Sequence, residues 1–248
     1  MTMTKPNDPV MDSVIAGAEF KRNAMAARLN WLRAGVLGAN DGIMSTSGLV
    51  LGVAASPGAT SASILVAGVA AVVAGSISMA GGEYTSVSAQ RDSEKAALAV
   101  ERAELADNPE GELRELAWFY EQKGMSPKLA LQVAEELTEK DALRAHADAE
   151  LGIDSEHHVS PMQAALSSFV AFAAGGLLPL LAVSGPWVDF RIPATVGAVL
   201  AALILTGFVG AKIGGAKSGR GIVRNVIVSS LTMGVTYAIG LLVGTQLV

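Results

Sequence analysis

Hydrophobic and polar positions divide the chain into segments of two kinds. Apolar runs long enough to cross a bilayer, which takes roughly 20 residues per helix, cover residues 34–55, 62–84, 162–183, 192–211 and 224–246. A charged block, 91–158, separates the second run from the third. A polar arm, 1–33, precedes the first. From Ser13 to Arg33 the arm carries Val14, Ile15, Phe20, Met25, Leu29, Trp31 and Leu32 in an amphipathic pattern, which reads as an interfacial helix at the lipid headgroups. No segment carries a strand signal. The pattern predicts an all-α membrane protein with five transmembrane helices. A three-helix cytoplasmic domain is inserted between the second and third. The divisions are 1–33 (arm), 34–90 (first two spans), 91–158 (acidic domain) and 159–248 (last three spans).

The change from apolar to charged has no seam. In "SISMAGGEYTSVSAQRDSEKAALAVERAEL", residues 76–105, a membrane helix becomes a soluble one without proline or loop. The first stop signal is "DNPEG", where Asn108 can cap a helix and Pro109 can open it. The second helix therefore runs over 62–107, roughly 69 Å at 1.5 Å per residue, and about half of it stands in the cytosol. A short helix over 109–123 ends at Gly124. A third covers 126–151, with Ser126 as N-cap, Pro127 in the first turn and Gly152 beyond the end.

Composition sharpens this division. Residues 91–156 hold 17 of the 23 acidic side chains and 8 of the 18 basic ones, so the acidity behind the net charge of −5 belongs to the insert. The loops "SPGATS" and "SGPWVDFR" offer only Arg191, whereas the other 17 Lys and Arg lie in the arm, the insert and the loop after the fourth run. That asymmetry places the N-terminus and insert in the cytoplasm and the C-terminus outside. The absence of cysteine excludes disulfides, thiolate metal sites and a cysteine nucleophile. Metal ligands are left to carboxylate, imidazole, thioether and backbone oxygen. No nucleophile–base pair stands in the spans, so no enzyme is expected, and no nucleic-acid partner either.

The candidate chemistry is carboxylate chemistry. Glu101 and Glu104 are three residues apart, as are Glu112 and Glu115. Pro109 lies between the pairs, so they face each other from adjacent antiparallel helices. On a straight third helix Glu135, Glu139, His146 and Glu150 fall within about 60° of arc. Three helices presenting such groups form a cage for a hard or borderline divalent cation. They are equally a set of solvated acidic faces paired to Arg102, Arg114 and Arg144.

Within the spans the case for function is stronger, because an intramembrane acid costs several kcal/mol by most scales. Asp41 lies in "GANDGIMSTSG" and Glu83 in "SMAGGEY". A tight turn at "SPGATS" sets Asp41 level with about Gly75, with Met79 a turn nearer the cytosol and Glu83 at the mouth. Asn40, Ser45, Thr46 and Ser78 can line the same path. "GAKSGRG" lacks the spacing of a phosphate loop and reads as a basic cytoplasmic turn.

At these residues the chain resembles the vacuolar iron transporter (VIT) family. "NDGIMSTSGLVLGVA", "SISMAGGEYTSVSAQRDSEKA" and "SPMQAALSSFVAFAAGGLLPLL" carry the likeness, which runs over about residues 30–247. The resemblance implies a homodimer with five spans per chain, here in a bacterial inner membrane. It implies export of Fe²⁺, often also Mn²⁺, from the cytosol in exchange for protons, with no prosthetic group. It assigns Asp41 and Met79 to the metal path, and Glu101, Glu104, Glu112, Glu115 and Glu150 to the cytoplasmic metal site. Two departures are plain: "AAVVAG" lacks the acid that eukaryotic members carry in the second span, and His146 and Ala147 stand where the family has methionines. The rival expectation is a membrane-anchored metal sensor or buffer that moves no ion.

Overall fold

The structure, a computed structural model, describes residues 34–153, 160–213, 215 and 217–246. The arm read as an interfacial helix lies outside them. The described residues contain seven α-helices and no strand. Helix α1 covers 34–55. It is followed by α2 (Ser61–Asp107), α3 (Pro109–Gln122), α4 (Pro127–Ala149), α5 (Pro161–Val183), α6 (Arg191–Ile213) and α7 (Ser218–Gln246). A single 3₁₀ turn, Val188–Phe190, leads into α6. Four of these, α2, α5, α6 with its lead-in, and α7, are long and apolar enough to cross a membrane.

The described chain forms two compact units: Thr85–Ser160, and the remainder. In the apolar unit, one cluster joins α1, α6 and α7 through Ile43, Leu51, Val199, Leu203 and Met233. Another joins α1, α2 and α5 through Val50, Ile64 and Val183. Helix α1 approaches both α7 and α5 closely; a Cβ on Gly240 would collide with the carbonyl oxygen of Gly52. A Cβ on Gly42 would collide with the carbonyl oxygen of Phe172, and one on Gly175 with the carbonyl of Ala39. Small residues let these backbones touch, which is how helices pack where lipid removes the hydrophobic drive. Across α1 and α6, Thr206 Oγ1 donates to Asn40 Oδ1 at 2.6 Å. Helix α7 begins six residues before the apolar run at 224. Nothing in "SGRGIV" breaks a helix, and the long stems of Arg220 and Arg224 suit a membrane edge.

The Thr85–Ser160 unit holds the C-terminal part of α2 together with α3 and α4. Its core is Leu116, Ala117, Ala134 and Ala145, with Leu113, Tyr120 and Leu137 packed against them. Asn108 caps α3, its side chain accepting from the Gly111 N–H at 3.1 Å, and Pro109 follows at the first position. Chain reversals at Gly124 and Gly152 use φ of +96° and +63°, a region that favours glycine. Ser126 stands at the N-cap of α4 with extended backbone, as the sequence suggests, but its side chain makes no capping hydrogen bond, and Pro127 presets the first turn. Helix α4 is not straight. Asp141 has φ −167° and ψ 95°, so two helical stretches meet there.

Candidate metal centre

Two places gather the groups that can hold a cation. The first lies within the apolar unit. Asp41, Ser45 and Leu49 of α1, Ala71, Gly75, Ser78, Met79, Gly82 and Glu83 of α2, and Phe172 of α5 line a cavity of about 520 Å³. Asp41 and Gly75 thus line one space. Glycine is required there because the Phe172 ring lies where a Cβ would be. Asp41, Met79 and Glu83 are each half-buried, while Ser45, Leu49, Ser78 and Gly82 face outward. Ser45 Oγ donates to the Asp41 carbonyl at 2.6 Å, so its oxygen still has lone pairs to offer. Asn40 and Thr46 do not join this lining. Asn40 is held by Thr206, and Thr46 is buried against α5 at Gly176.

The second place lies within the Thr85–Ser160 unit. Glu101 of α2, Glu112 of α3 and His146 of α4 each offer a donor atom, and these atoms lie within 4.8 Å of one another. His146 Nδ1 is 2.9 Å from Glu101 Oε1, 3.4 Å from Glu150 Oε2 and 3.8 Å from Glu112 Oε2. Donors held about 2.0–2.2 Å from one first-row ion would stand about 3 Å apart across a right angle and about 4.4 Å apart across a straight line. These separations therefore suit one small divalent cation.

Burial makes the cluster unusual. His146 is 0% exposed and Glu101 3%. Glu101 Oε1 faces His146 Nδ1 without hydrogen-bond geometry, and His146 Nε2 has no hydrogen-bond partner among the described residues. A buried polar atom left without a partner is costly and calls for an ion or water. Burial, above all, pushes the carboxyls of Glu101 and Glu112 above the ordinary glutamate range. The charge of Glu150 adds to this at Glu101, and that of Glu115 at Glu112, while His146 opposes it at both. A divalent cation would relieve every one of these penalties at once.

The other candidates fall outside the triad. Glu104 and Glu115 are exposed, although their charges are felt at Glu101 and Glu112. Glu135 and Glu139, which a straight α4 would align with His146 and Glu150, are also exposed. They lie before the break at Asp141, whereas His146 and Glu150 lie after it. Arg114 turns to a backbone carbonyl, its Nε donating to Glu110 O at 3.0 Å.

Comparison with known proteins settles the lineage. The model of the VIT family matches residues 32–241. The chain belongs to the VIT family. It is similar to a vacuolar iron transporter of Acanthamoeba castellanii, 44% identical over 225 residues that cover 90% of this chain and 82% of the relative. Vacuolar iron transporter homolog 1 of Oryza sativa subsp. japonica is 36% identical, over 93% of this chain and 84% of its own. Vacuolar iron transporter homolog 2 of Arabidopsis thaliana is 35% identical, over 88% and 86%. Membership in the VIT family, with four helices fit to cross a membrane, makes this an integral membrane protein. The VIT match spans both places described above.

Proposed function

We propose that the protein exports divalent iron, and manganese as well, from the cytoplasm in exchange for protons. The names of its relatives support iron as cargo. The observation that carries the reading is the cavity that joins Asp41, Met79 and Glu83 inside the apolar unit. An anchor for a sensor needs no acid, thioether and hydroxyls around one intramembrane space. In this reading Asp41 and Met79 ligate the passing ion, and Glu83 marks the cytosolic mouth. Protonation of the carboxylate, driven by the proton gradient, discharges the ion outward.

The acidic insert collects metal at Glu101, Glu112, His146 and Glu150, with Glu104 and Glu115 as the outer, exposed carboxylates. Helix α1 serves as a fifth span, with the N-terminus and insert cytoplasmic, the C-terminus outside, in a bacterial inner membrane. A homodimer is supported by the outward-facing lining of the Asp41 cavity, since Ser45 and Ser78 are poor neighbours for acyl chains.

Purified protein in proteoliposomes tests the reading. Fe²⁺ and Mn²⁺ flux should rise with an opposing pH gradient. Metal binding with no flux under any gradient would replace transport by the anchored sensor or buffer.

A further inference from the structure

Helix α4 is broken at one residue, Asp141, and the wholly buried His146 lies beyond the break. Before Asp141 the inward positions are Ala130 and Ala134, a spacing of four, while Glu135 and Glu139 are exposed. In an unbroken helix the same face would continue through Asp141, about 20° from Ala134, and His146 would stand about 120° away. In the structure Ala145 keeps the phase of Ala134 and joins the same core, but burial widens beyond it. Asp141 is exposed, and Ala145, His146 and Ala147 are buried in succession.

The backbone explains how. Asp141 leaves the helical region for extended φ and ψ, and its Oδ1 accepts the Arg144 N–H at 3.0 Å. Extended backbone with a side-chain oxygen on the N–H three residues on is the geometry of an N-cap. So α4 restarts at Ala142. The restarted stretch, to Ala149, carries His146 and is followed directly by Glu150.

We propose that Asp141 is a positioning residue for the metal centre. It caps the second stretch of α4, and so holds His146 and Glu150 in place against Glu101 and Glu112. This rests on the metal-centre reading above. Asp141 itself does not touch the ion; it acts through the orientation of the two ligands. The carboxylate works as an oxygen acceptor rather than as a charge. Serine and asparagine, which cap about as well as aspartate, should therefore replace it, and alanine should not.

The test uses the full-length protein in detergent, with Mn²⁺ titrated by calorimetry and with hydrogen exchange of the metal-free protein. Asp141→Ala should weaken Mn²⁺ binding by about five-fold, the factor an N-cap of ordinary strength makes in an equilibrium. It should also speed exchange at Arg144 to Ala147 while leaving Ala130 to Ala134 unchanged. Asp141→Ser and Asp141→Asn should keep wild-type affinity and protection. Wild-type affinity in Asp141→Ala overturns the proposal. Equal weakening in all three variants overturns it too, because charge rather than the cap would then be at work. Glu101→Gln separates the underlying reading. If it binds Mn²⁺ as the wild type does, the centre is elsewhere and the role of Asp141 falls with it.

Discussion

The two carboxylate sites differ in how tightly they are built. Around Asp41 an acid, a thioether and a second acid line some 520 Å³ of space with one side open. Around His146 the donor atoms of three residues crowd within 4.8 Å, two of those residues almost wholly buried. A roomy site with few ligands can admit an ion and release it. A compact, desolvated site with several ligands holds one. Under the proposed function the first site serves passage and the second capture, and enclosure adds to the difference between thioether and imidazole.

Variants can break this comparison. The largest effect is expected from Asp41→Asn, which should reduce Fe²⁺ and Mn²⁺ flux in proteoliposomes to the protein-free background. Metal binding at the insert, read by calorimetry, should persist in the same protein. Wild-type flux in that variant would take Asp41 out of the path. Next in size is Glu101→Gln. It removes a ligand from the buried triad and should weaken binding by at least about 100-fold, beyond the 10–100-fold typical of losing a group that only supports a ligand. Its residual flux at saturating metal would show how far capture limits passage.

A smaller effect concerns pH, and its sign differs with and without metal. Glu101 and Glu112 have folded-state pKa values raised above 4.5, chiefly by burial. Protons should therefore displace metal at a higher pH than an ordinary glutamate would allow, so affinity falls on mild acidification. Without metal the linkage reverses. The folded insert binds protons that the unfolded chain does not, so it gains stability below the unfolded pKa and loses it as pH rises through the folded one. With chelator present, Tm should be higher in mild acid than at neutral pH, and Glu101→Gln should flatten that slope. The smallest effect is local. Phe172→Leu should enlarge the Asp41 cavity beside Gly75 and change Fe²⁺ to Mn²⁺ preference by about ten-fold, the low end of what pocket-size changes make. Paired flux ratios would read it.

Much of this arrangement was legible in the sequence, because it rests on local signals. Length and hydropathy marked the apolar helices to within a few residues, apart from the early start of α7. Asn108 with Pro109, Gly124 and Gly152 announced the turns of the insert through capping and backbone freedom. The meeting of Asp41 with Gly75, Met79 and Glu83 followed from one tight turn and a constant rise per residue. Pro109 likewise predicted that Glu101 and Glu112 would face each other. Periodicity failed at Asp141, because counting at 100° per residue assumes a straight helix and aspartate is an ordinary residue on a helix surface. Its cap toward Arg144 depends on three-dimensional packing that spacing does not carry. Asn40 and Thr46 escaped for a related reason. Their partners, Thr206 and Gly176, are more than a hundred residues away.

That long separation has a consequence for how the protein is made. Gly42 meets Phe172 and Gly176, Gly175 meets Ala39 and Gly240 meets Gly52, so the close contacts of α1 wait for segments synthesised about 130 to 190 residues later. Chains emerge N-terminus first, and domains fold as units while they do so. The whole of Thr85–Ser160 is therefore on hand before α1 can close against α5. During that interval the glycine-lined face of α1 stands uncovered. Slow collapse of the insert would prolong this exposure, and a mutation confined to the acidic unit could then lower yield by stalling the closing of the membrane helices.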